Sequence, residues 1–91
     1  MNTSNLHRDV HREFAQTVYA KLRGMAADAL DKPWNEHAER AFVAQVRNMV
    51  SDAAYDRGLH PDAGHALAEY LFATVTIETV DGPRLLGSVP T

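Results

Sequence analysis

Cysteine is absent from this chain of 91 residues. That excludes a disulfide scaffold, a thiolate zinc site and thiol catalysis together, and it fits a reducing compartment, so a cytoplasmic location is expected. Long apolar runs are missing too. No stretch of about 18 apolar residues occurs, and Met1 to His11 is polar, so neither a membrane span nor a secretory leader is expected. Large side chains are scarce: the apolar share is 45 %, but fourteen of those residues are alanine and only 23 are Val, Leu, Ile, Met or Phe. Such a composition favours helices that approach closely, and a core this modest is often completed by a partner.

Positive charge is also in short supply, with nine Lys and Arg against twelve Asp and Glu. Residues 1–27 carry a net +2 and residues 28–91 a net −5, making the overall −3. Nucleic-acid affinity rises with the number of cations presented, so phosphate neutralisation is not the expected business of this chain. Only the first helix is locally basic in net charge.

One small domain is the expectation at this length. Leu6, Val10, Phe14, Val18, Leu22, Met25 and Ala29 recur at steps of three and four, the period of a helical stripe. Helix 1 is therefore read from Asn5 to Leu30, capped by Thr3 or Ser4, with Gly24 as the place for a bend or split. Asp31 to Trp34 breaks the pattern, and Pro33 is suited to the opening turn of helix 2, which runs to Arg57. Its stripe includes Trp34, Phe42, Val46 and Val50. Gly58 is placed just beyond that helix, with Leu59 folding back on its last turn. His60-Pro61-Asp62 opens helix 3.

The end of helix 3 is contested. Leu67, Leu71 and Val75 keep the i, i+4 spacing and favour helix to Thr79, whereas the β-branched run Thr74 to Val80 and the Asp81-Gly82 pair favour a hairpin whose second strand holds Leu85, Leu86 and Val89. Helix is preferred because Pro83 removes a ladder donor. The fold class read is thus all-α: a three-helix domain over residues 1–82, with a C-terminal tail over 83–91 and a small hairpin as the alternative end.

Helix 1 has a geometric consequence. Twenty-six residues at about 1.5 Å each make roughly 39 Å, longer than the roughly 30 Å diameter of a compact chain of this size. Either the helix bends at Gly24 or it projects and needs cover for its stripe, most simply from a second copy.

Several side-chain groups bear on chemistry. His7 and His11 share one helix face at the i, i+4 spacing of a metal pair, but no third ligand is nominated by spacing, and solvated histidines account for them. His60 and Asp62 have the composition of a base and its orienting carboxylate; a helix cap explains them as well. Neither Ser51 nor Ser88 is marked out as a nucleophile. Glu36, Glu39, Asp52 and Asp56 alternate with Arg40 and Arg47, and pairs such as Glu36–Arg40 give a solvated face. Residues 53–72 have the outline of a helix-turn-helix, yet Pro61 to Phe72 carries no Arg or Lys to read bases.

No catalytic set and no cofactor is nominated. The function expected is that of a non-enzymatic protein–protein interaction protein, an adaptor, regulator, inhibitor or small subunit, self-associating or docking through helix 1 and the tail. Its expected interface is Leu6, Val10, Phe14, Val18, Leu22, Leu85 and Leu86, rimmed by Arg8 and Arg12. A DNA-binding regulator using residues 53–72, or a metal-binding protein using His7 and His11, are the alternatives.

Overall fold

A computed structural model describes the backbone of residues 3–88 and the side chains of residues 9–87. Three helices precede a two-stranded hairpin: α1 (Thr3–Leu30), α2 (Glu36–Asp56), α3 (Pro61–Thr74), β1 (Thr76–Thr79) and β2 (Gly82–Leu85), followed by a 3₁₀ turn over Leu86–Ser88.

α1 runs through Gly24 without interruption. No heavy atom lies within 4 Å of where a Gly24 side chain would start, so this glycine serves neither a turn nor a close approach. Of the two outcomes open to a long first helix, the chain takes projection over a break: its dimensions are 49 × 22 × 20 Å, and the 28 residues of α1 account for about 42 Å of the long axis. From Phe14 onward the apolar stripe of α1 is nonetheless covered. Phe14, Val18, Leu22 and Ala29 are buried in one cluster with Phe42, Val46 and Val50 of α2, Leu71 and Phe72 of α3, and Ile77 of β1.

α2 begins later than Pro33 alone suggests. Asn35 is the cap, its Oδ1 accepting from the Ala38 N–H at 2.8 Å, so Pro33 and Trp34 lie in the connector. The far end matches the sequence reading closely. Gly58 takes φ +66°, the Leu59 N–H reaches back to the Ala54 carbonyl at 3.0 Å and the Gly58 N–H to Tyr55 at 3.0 Å, which satisfies two carbonyls of the last turn. His60 caps α3 through Nδ1, which accepts from the Asp62 N–H at 3.1 Å, with Pro61 in the first turn. α2 and α3 cross over small residues. A side chain at Gly64 would begin 3.5 Å from the Ala54 Cβ, so the two helices meet almost backbone to backbone where Ala53, Ala54 and Ala68 are buried.

The preferred reading of helix to Thr79 is corrected here. α3 stops at Thr74 and the chain turns into a hairpin, with Thr76 opposite Leu85, Ile77 opposite Arg84, Glu78 opposite Pro83 and Thr79 opposite Gly82. Register removes the objection raised by Pro83. The Leu86 N–H bonds the Val75 carbonyl at 3.0 Å, and hydrogen-bonded pairs alternate along an antiparallel ladder, so residues 75, 77 and 79 face β2 while Glu78–Pro83 is a non-bonded pair. The N–H that proline lacks would have pointed outward. Ile77 and Thr79 turn inward, and the boundary expected at residue 83 falls inside the hairpin. The 3₁₀ turn then lies on the end of α3, where a Gly87 side chain would collide with the Phe72 carbonyl oxygen.

Candidate functional site

The residues expected to form an interface separate into three groups. Phe14, Val18, Leu22 and Leu86 are buried within the chain's own core, Val18 at 0 % exposure. They cannot serve as a docking surface without unfolding it, because α2, α3 and the hairpin supply the cover that a second chain was expected to give. Val10 is half-buried, Arg12 is exposed, and Leu85 stands 42 % exposed on β2. The side chains of Leu6, His7 and Arg8 lie outside the described residues, and the expected His7–His11 pair lies outside them with His7. His11 itself is exposed, and among the described residues no three His, Cys, Asp or Glu side chains come together.

The remaining candidates find structural roles. Nδ1 of His60 stands 3.4 Å from Asp62 Oδ2 with both side chains largely exposed, but the same nitrogen accepts the Asp62 N–H, so it acts as a helix cap. Glu36 and Arg40 pair at 2.6 Å along α2, as their spacing suggests. Arg47 lays its guanidinium 4.6 Å from the centre of the Phe72 ring. Arg57 donates from Nη2 to Thr17 Oγ1 at 2.6 Å, tying the end of α2 to α1. Around the helix-turn-helix outline, Gly64 packs directly on α2, and the exposed side of α3 presents Asp62, His65, Glu69 and Tyr70. That surface carries acids where a reader of bases needs cations.

A groove that the sequence reading did not nominate lies between α1 and β1. Tyr19, Leu22, Arg23, Ala26, Ala27 and Leu30 form one wall and residues 75–78 the other, enclosing about 370 Å³ of open space. Tyr19 is 38 % and Leu30 45 % exposed along this wall. Positions 19, 23, 26, 27 and 30 have helical spacing of their own, a second and narrower stripe beside the buried one. Alanine hides it. The residue suits any helix face, so the pattern reads as filler until β1 is placed opposite.

The second wall brings backbone chemistry. By the alternation fixed above, Thr76 and Glu78 turn their N–H and C=O groups away from β2, toward the open edge of β1. The two edges of this sheet therefore differ. At the outward-facing position of β2 stands Pro83, which has no N–H to offer, whereas β1 has a complete set of donors and acceptors and no proline. Arg23 and Glu78 bring one charge of each sign to the groove. The arrangement can receive an extended strand on β1 and apolar side chains along the α1 wall from Tyr19 to Leu30.

Among the described residues no helix is long and apolar enough to cross a membrane. Comparison of the chain with protein-family models, with curated proteins and with solved structures gives no match.

Proposed function

We propose that this protein is a small, non-enzymatic interaction module, an adaptor, regulator or subunit, that recognises its partner through the groove between the second half of α1 and the free edge of β1. The observation that carries this reading is the unequal treatment of the two sheet edges. β2 is blunted by Pro83, while β1 is left open beside a stripe of small and apolar side chains on α1. Half-exposed Tyr19 and Leu30 supply the kind of amphipathic and apolar anchors on which interfaces depend. The lack of cysteine accords with work in the cytoplasm.

The test is site-specific photo-crosslinking in the cells that make the protein. A photoreactive residue at position 27, inside the groove, is expected to give a discrete adduct, and the same probe at Asn48, exposed on α2, is expected to give none. Adduct formation equal at both positions, or absent from both, overturns the reading.

A further inference from the structure

We infer that the occupant of this groove is a second copy of the same chain, added edge to edge through β1 so that two hairpins form one four-stranded antiparallel sheet. The inference rests on the interaction-module reading and names its partner.

The backbone is self-complementary about Ile77. With a two-fold axis at that residue, Thr76 lies opposite Glu78 of the partner subunit, and Glu78 opposite Thr76 of the partner subunit. These are the residues whose N–H and C=O groups face outward, so four inter-chain hydrogen bonds close without altering the existing ladder. Ile77, which is already buried, meets its own counterpart on the inner face. An isologous contact of this kind closes on itself and leaves Pro83 at both outer edges, so the sheet does not grow further.

Side chains agree with that geometry. Each Glu78 faces a threonine, so no like charges stand directly opposite across the new pair. β1 carries one acid and no base, and the groove that receives it holds a single cation, Arg23. The alternative extended segment of this chain, β2, brings Arg84 and a proline instead. Beneath the joined strands the two α1 helices meet along Ala26 and Ala27, where small side chains permit close contact.

Two variants test the pairing. Thr76→Pro removes one outward donor and no inner one, and Val75 at φ −91° and ψ 128° already has the extended conformation required before proline. Ala27→Arg blocks the helix contact and leaves the hairpin alone. Solution mass is measured by light scattering from about 100 to 1 μM, a range that spans roughly −5 to −8 kcal/mol of association, with circular dichroism reporting the fold. The wild type is expected to show twice the 10.1 kDa of one chain, and each folded variant to shift half-dissociation at least tenfold upward in concentration. A wild-type dimer that persists unchanged in folded Thr76→Pro overturns edge pairing, and if Thr76→Pro fails to fold, Ala27→Arg decides by the same criterion. A wild type that is monomeric throughout overturns the second copy as occupant. In that case a crosslinked adduct at position 27 of any other mass keeps the interaction-module reading, and no adduct removes both.

Discussion

The indole N–H of Trp34 donates to Oε1 of Glu39 at 2.7 Å. These residues stand just before the Asn35 cap and one turn into α2, the two positions that a hydrophobic staple joins in many helices. Here the staple is polar, and the ring keeps an apolar duty by meeting Phe42 edge-on at 5.6 Å. Glu39→Ala removes an acceptor from a half-buried N–H and is expected to cost about 1 kcal/mol, with Glu39→Gln losing less. Trp34 is the sole tryptophan, so urea unfolding followed by its fluorescence measures the cost, and a red-shifted native emission marks the release of the ring in Glu39→Ala.

The correction to the expected interface has its own test. Val18 is fully buried in the cluster that α1 shares with α2, α3 and the hairpin, so Val18→Asp places an unpaired carboxylate in the core and is expected to abolish cooperative thermal unfolding. Leu85→Asp, on a strand position 42 % exposed, is expected to stay folded at a cost of about 1–2 kcal/mol. Folded Val18→Asp with altered mass would return the buried stripe to the status of an interface.

Three glycines are predicted to respond differently to the same methyl group. At Gly24, inside α1 with open space around it, alanine is expected to raise stability by about 0.5–1 kcal/mol. Gly64→Ala meets ordinary contact distances and is expected to be near neutral, its helix gain set against tighter crossing of α2 and α3. Gly87→Ala drives into the Phe72 carbonyl and is expected to cost about 1–3 kcal/mol. Denaturation midpoints for the three variants rank them directly, and any order other than Gly24→Ala, Gly64→Ala, Gly87→Ala from most to least stable counts against the packing described.

Thr79 is the buried polar residue of the hairpin, at 5 % exposure, and both of its hydroxyl bonds are local. Its Oγ1 donates to the Gly82 carbonyl at 2.8 Å and accepts from the Asp81 N–H at 3.1 Å. The turn needs this staple because Val80 and Asp81 keep negative φ, and the positive-φ step is made at Gly82, φ +102°. Thr79→Val keeps shape and β-propensity but leaves the Asp81 N–H unpaired, at a cost of about 1 kcal/mol. Faster amide exchange confined to residues 76–85 would report it; uniform acceleration along the chain would not fit.

Much of this architecture was legible in the sequence because it depends on local chemistry. The steps from Val10 to Ala29, the Gly58 end of α2 and the His60-Pro61 start of α3 are each decided within a turn or two of chain. The hairpin was legible only as the alternative end, through the β-branched run and Asp81-Gly82, since the i, i+4 series Leu67, Leu71, Val75 runs on past the end of α3. Whether Pro83 spoils a ladder depends on register, which is set by Leu86 bonding Val75 eleven residues away. Phe14, Val18, Leu22 and Leu86 read as interface for a related reason. A stripe such as Phe14–Val18–Leu22 announces burial and says nothing about whose atoms bury it. The groove that remains is walled by alanines and by backbone, neither of which leaves a mark in a hydrophobic pattern.

Amide hydrogen exchange at three neighbouring residues distinguishes a β1 edge occupied by a second copy from a free one. Ile77 donates into the hairpin, whereas Thr76 and Glu78 donate outward. Across dilution from about 100 to 1 μM, Ile77 is predicted to stay protected while protection of Thr76 and Glu78 falls together with the dimer. Thr76 and Glu78 amides that exchange at the same fast rate at every concentration, beside a protected Ile77, would overturn edge pairing through β1.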